Sequence, residues 1–265
     1  MQGWPTNQEQ ASASPPEEKN IEFLSALKFI FSQERAWSNI LMLTVLLFIP
    51  VVGQIVMYGW QCEILQRLER RHPKPIPEFT FSDFTHYLSR GVTPFVTQMI
   101  LTIPFSMVFG FLGGVIGVVG AVAARAAPHT RGQPPVLLLV IYGSVILMSM
   151  LSAPFIAILM NAGLVRAELS EELGKTLSFS GIWGYIKKTW LTTLGASFVY
   201  GMMASIVIFL GLICCYFGVF PAAIIVGTGM VHLRFQIYQK YLARGGEPIP
   251  VKAAVTIPSE QAARA

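Results

Sequence analysis

Few side chains in this sequence are placed to do chemistry in an apolar setting. Gln54, Gln98, Asn161 and His232 are the strongest polar groups in or near its long apolar stretches. Ionisable or strongly polar groups inside a membrane mark proton relays, ion paths or catalysis. Gln54 and Asn161 each sit on a segment bearing a Pro–Gly pair, so they could face a shared cavity. The competing reading, which we favour, is that each makes an interhelical hydrogen bond. As a proton carrier His232 would need a carboxylate, and none is near it in sequence, so beside Arg234 it reads as an interfacial polar cap. His72 and His86 flank Glu78 and Asp83, but their spacing fits no metal-ligand motif. Asp83 is the only aspartate, no G-x-S-x-G occurs, and there is no phosphate-cradling glycine loop. No catalytic, metal or cofactor set is therefore expected, and the leading expectation is a non-enzymatic protein.

The elements that carry these residues are set by hydropathy. Hydrophobic residues make up 53% of the 265, only 12% are charged, and the mean hydropathy is +0.57. Soluble domains carry roughly 25% charged residues. Asp, Glu, Lys and Arg are absent from 36–62, 91–124, 132–165 and 189–233. Each window exceeds the ~20 apolar residues that cross a bilayer core as a helix. The last is long enough for two crossings with a turn near Cys215–Gly218. The expectation is an all-α polytopic membrane protein with about five membrane segments: 38–60, 92–119, 136–163, 190–212 and 217–236.

The net charge of +5 does not point to nucleic acid. The basic residues sit in loops beside apolar segments, where they set orientation and meet anionic lipid heads. Cys62, Cys214 and Cys215 make no even disulfide framework, and the adjacent pair reads as small hydrophobes.

Residues 1–20 and 243–265 are polar and read as disordered tails around a single helical domain, 21–242. Ile21, Leu24, Leu27 and Phe31 fall at helical spacing, with Phe23 and Ile30 alongside, and predict an amphipathic helix on the membrane surface. Trp37 and Trp60 bracket the first apolar segment like interfacial anchors. QCEILQRLERR then extends that helix into water, and HPKPIP follows as an extended linker. FTFSDFTHYLSRG predicts a second interfacial helix, with Phe81, Phe84 and Leu88 on one face. Residues 166–189 repeat the arrangement, a charged extension and then FSGIWGYIKK. In FGFLGGVIGVVG, Gly110 with Gly114 and Gly113 with Gly117 form overlapping G-x-x-x-G pairs, suited to packing within the protein or to self-association.

Two features recur. Phe81-Ser82-x-Phe84-x-x-Tyr87-Leu88-x-Arg90 matches Phe179-Ser180-x-Ile182-x-x-Tyr185-Ile186-x-Lys188. Upstream, Pro50, Gly53 and Gly59 find a parallel in Pro154 and Gly163, and more weakly in Pro221 and Gly229. An internal repeat is expected, in which proline kinks a helix and glycine permits close packing. Topology stays open between two forms. A kinked but complete crossing over 38–60, which we favour, exports the N-terminus; a re-entrant hairpin broken at Pro50–Gly53 keeps it inside. In both, the loops 61–90 and 164–189 and the C-terminus lie in the cytoplasm by the positive-inside rule.

With these residues assembled, W-x-x-I-L…IPVVG…YGW, a charged helix and PIPEF…F…YLSRG resemble a family of prokaryotic membrane proteins, domain of unknown function 4013. The ending GTGMVHLRFQIYQKY is similar to that family's closing helix, and the likeness covers roughly 21–242. Trp60 departs from it, standing where a tyrosine is expected. The resemblance implies a multi-span helical protein of the cytoplasmic (inner) membrane, with no established activity. The partners to expect are the lipid bilayer and other membrane proteins or a second copy, not nucleic acid. A pathway for transport or lipid handling between the Pro–Gly helices is the alternative.

Overall fold

A computed structural model describes residues 19–126, 136–214, 217–255 and 257–262; the tail expected over 1–20 lies almost wholly outside them. Regular structure among them is helical. The helices are α1 (Phe23–Lys28), α2 (Ala36–Leu47), α3 (Val52–Glu69), α4 (Phe84–Ala126), α5 (Val136–Ser170), α6 (Leu173–Thr176), α7 (Phe179–Ile213), α8 (Val219–Ala243) and α9 (Pro258–Ala262), with 3-10 turns at Phe29–Ser32 and Phe81–Asp83. Four stretches are long and apolar enough to cross a membrane: Phe81–Val122, Tyr142–Ser170, Phe179–Ile213 and Val219–Ala243.

The first apolar segment is not among them. α2 has 12 residues and spans about 18 Å, short of a ~30 Å hydrocarbon core. It stops at Phe48–Val51, where Pro50 withholds a backbone donor and Val51 adopts φ +65°, a region β-branched residues enter only under strain. α3 then runs back. Asn39 on α2 and Trp60 on α3 both donate to the Pro77 carbonyl, at 3.1 and 3.2 Å, so the middle of α3 returns to the level at which α2 starts. The favoured kinked crossing is therefore replaced by a helical hairpin. At its tip the Phe48 ring lies 4.5 Å from Phe220, beside the α7–α8 turn.

Gly53 closes the hairpin: a Cβ there would collide with the Leu46 carbonyl. Gly59 does the same for α3 against α4, where its neighbours are the Tyr87 carbonyl and Gly91. Gly163 admits the Leu101 side chain, and Gly229 admits Tyr200 and the Ala26 carbonyl. The glycines of the predicted Pro–Gly pairs thus mark close approaches. The prolines differ among themselves. Pro154 lies within an unbroken α5, Pro221 sits in the first turn of α8 where its missing donor is harmless, and only Pro50 ends a helix.

Three further expectations change. The interfacial helices at 81–90 and 179–189 are not separate elements but the first turns of α4 and α7. Trp60 is fully buried, so it cannot anchor at an interface, whereas Trp37 is 65% exposed. α1 docks on α8 through Ala26, with Ile30 of the following 3-10 turn also buried, while Leu24 and Phe31 point outward. Past Thr102, which meets Met160 of α5, α4 exposes Met107, Phe111 and Val118.

Candidate functional site

Charged side chains converge at the end of the bundle where α3 leaves the hairpin, α4 begins and α5 and α8 finish. The helical i, i+4 spacing puts Glu63 and Arg67 on one face of α3, with Nε and Oε1 2.6 Å apart. Arg90, in the second turn of α4, pairs with Glu63, donates 2.7 Å to Gln66 and meets Glu171 at 2.6 Å. Glu171 caps α5 at φ +52° and takes a second cation, Lys252, at 2.8 Å. Gln66 fastens α3 to α5 by donating to the Glu168 carbonyl and the Glu171 carboxylate, both at 2.8 Å. Deeper in, Arg234 of α8 pairs with Glu168 at 2.5 Å and reaches Gln61 at 3.4 Å. Arg67 also binds Glu260 of α9 at 2.8 Å.

These groups are removed from water: Glu168 is fully buried, and Glu63, Arg67, Arg90 and Arg234 retain 5–6% exposure. Desolvating such charges costs several kcal/mol per ion, which their pairing offsets, and the network ties α3, α4, α5 and α8 together. Burial pushes the Glu63 carboxyl up, but the Arg90 and Arg67 guanidiniums outweigh it and hold it below its ordinary value. For Glu69, burial wins over the Gln239 amide 3.0 Å away and the Arg71 charge, and its carboxyl is raised. Carboxylates and guanidiniums paired in this way orient the helices that carry them. No group of three or more His, Cys, Asp or Glu suited to a metal occurs among the described residues.

The polar side chains singled out from sequence sit in different surroundings. Gln54 is exposed on the hairpin, and buried Asn161 accepts from Tyr185 at 3.2 Å. Gln98 accepts from Tyr58, a hydrogen bond between α3 and α4. His232 lies 3.0 Å from the Gln236 amide and stacks on Phe29 at 4.5 Å. Around Gly110, Gly113, Gly114 and Gly117 a Cβ would meet nothing within 4 Å, so this face packs on no other described part of the chain.

Sequence reasoning missed the network and the course of the C-terminal segment. Of the tail expected to be disordered over 243–265, the described residues, 243–255 and 257–262, instead complete α8 and then lie along the bundle. Ile249 and Ile257 are buried, and the Ser259 backbone donates 2.9 Å to Asp83. Its backbone donors are taken up at intervals by side chains and by the end of α5, which holds an extended segment in place.

No curated protein and no solved structure matches the chain. A family model matches from the last half of α2 to the turn after α7, stopping short of α1 and α8, so the likeness noted for the closing helix falls outside it. The match covers residues 42–217, well over half the chain, which belongs to the family described as protein of unknown function, DUF4013.

Proposed function

We propose that this is a non-enzymatic component of the cytoplasmic membrane, a scaffold or accessory subunit that binds other membrane proteins. The observation that carries the reading is the mutual satisfaction of the charge network. Glu63, Arg67, Arg90, Glu168, Glu171 and Arg234 are committed to one another, which builds an end whose buried charges hold helices together. With the hairpin returning to its starting level, sixteen of the seventeen Lys and Arg residues among the described ones fall on one side of the four long helices, Arg125 being the exception. That side, with the loops 61–90 and 164–189 and both termini, is assigned to the cytoplasm. The paired placement of buried Tyr87 beside Gly59 and buried Tyr185 on Asn161, two residues before Gly163, supports a duplicated unit. The uncovered glycines at 110–117 offer a face for self-association.

A scaffold co-purifies in fixed stoichiometry with another membrane protein after gentle solubilisation, identified by mass spectrometry. Recovery of the chain alone, together with solute or lipid flux in liposomes that Gln54→Leu or Asn161→Leu abolishes, would sink the reading in favour of transport. Orientation is checked by cysteines introduced at Asn7 and Arg131: an impermeant reagent outside the cell labels only the latter. Labelling of both would restore five crossings.

A further inference from the structure

We propose that the groove between the ends of α3, α5 and α8 is a peptide-docking site whose resident ligand is the chain's own segment 246–262, held reversibly. Docking of this segment does not require the scaffold role. The chain leaves α8 through Gly245 at φ +68°, and Gly246 passes so close to the Tyr241 ring that a Cβ would collide with it. Two separate clamps then hold the segment. In the first, Ile249 is buried and its N–H donates 3.0 Å to the Tyr238 hydroxyl. Lys252 donates from its backbone to the Leu169 carbonyl at 2.9 Å and from Nζ to Glu171 at 2.8 Å. In the second, Ile257 is buried, Ser259 donates to Asp83 from its backbone at 2.9 Å and from its hydroxyl at 2.6 Å, and Glu260 meets Arg67 at 2.8 Å. Between the clamps Ala253–Val255 are exposed. An integral element of the core would be buried throughout, whereas this one is a two-point attachment, basic at one end and acidic at the other.

The receptor side does not depend on its ligand. Arg90 fixes Glu171 and Glu63 fixes Arg67, so both charges keep their positions when the segment leaves. Tethering supplies an effective concentration on the order of millimolar, and a modest intrinsic affinity therefore keeps the groove filled. Departure would bare Glu171, Asp83 and Arg67 together on one face.

The test uses the full chain in nanodiscs with a protease site inserted between Gly245 and Gly246. After cleavage the segment is washed off at high salt, and a fluorescent synthetic peptide of residues 246–262 is titrated back by anisotropy at low salt. Saturable rebinding is expected, weakened about tenfold or more by Lys252→Glu or Glu260→Arg in the peptide, and by phosphate on its Ser259 facing Asp83. Because these changes are made in the peptide, misfolding of the body cannot produce the result. Retention of the cut segment until the body unfolds, loss without saturable rebinding, or equal binding of all peptides would each overturn the proposal.

Discussion

Replacing Gly59 by alanine tests the packing that turns the first apolar segment into a hairpin seated on α4. The added Cβ would overlap the Tyr87 carbonyl and press on the Gly91 backbone, and neither can swing aside as a side chain would. Relief requires α3 and α4 to separate locally. A gap of about 0.5–1 Å forfeits a quarter to a half of each dispersion contact along the seam. Overpacking in a filled interior costs about 1–3 kcal/mol, and a backbone-to-backbone clash belongs in the upper half of that range. For a chain of this size each kcal/mol lowers Tm by roughly 2–4 °C, so a fall of about 4–12 °C is expected. Trp60, buried next to the substitution and bonded to Pro77, becomes a local reporter when the other four tryptophans are replaced by phenylalanine, and its fluorescence can then be followed on heating the protein in detergent. Gly114→Ala is the matched control, since its Cβ meets nothing within 4 Å and alanine favours a helix by up to about 1 kcal/mol. Equal melting of Gly59→Ala and the parent, or equal losses at Gly59 and Gly114, would refute the close approach of α3 and α4.

Glu63 is held below its ordinary value of 4.5, so its charged form contributes stability above pH 4.5 that is lost as pH falls through its lower folded value. The parent should therefore lose Tm on acidification in that window, and Glu63→Gln should show a flatter slope from a lower start, because Arg90 and Arg67 lose a buried counter-charge worth about 3–5 kcal/mol. Glu69 has the opposite sign. Its raised carboxyl favours the folded state below pH 4.5 and gives that advantage up as pH rises, so Glu69→Gln should melt no lower than the parent at pH 7. Tyr185→Phe removes the donor to buried Asn161 and should cost about 1–3 kcal/mol in chemical denaturation. Tyr87→Phe should be neutral or stabilising, because the Tyr87 hydroxyl is buried with no hydrogen-bond partner among the described residues.

The parts of the fold that sequence makes legible are those governed by local rules. Charge-free windows give the long helices, because a bilayer-length apolar run leaves the chain few other ways to satisfy its backbone. The Pro–Gly pairs point to sites of close packing, since only glycine lets two backbones meet. What local rules do not reveal is the outcome of a contest at Pro50. A lone proline bends a helix and is compatible with a complete crossing, as Pro154 shows in an unbroken α5. The difference at Pro50 comes from partners distant in sequence. Asn39 and Trp60 bind one carbonyl of the HPKPIP linker, and Gly53 lets the two arms touch. These contacts hold the hairpin closed although Val51 is strained by it.

The charge network had a sequence signal of a different kind. Glu63 directly follows the first charge-free window, Arg90 directly precedes the second, Glu168 is among the first charges after the third, and Arg234 directly follows the last. Antiparallel helices of a membrane bundle place alternate ends of such windows at one level, so these edge residues must meet or else find water. Their signs, acid on α3 and α5 and base on α4 and α8, make pairing the lower-energy outcome, and the structure joins Arg90 to Glu63 and Arg234 to Glu168. Reading which charges flank the windows, instead of counting the charges missing from them, would have found the site. Such a reading also explains its position. It lies at the depth where the first ionisable group of each helix emerges from the apolar interior, and there an unpaired charge would be costly and a paired one sets the register of its helix.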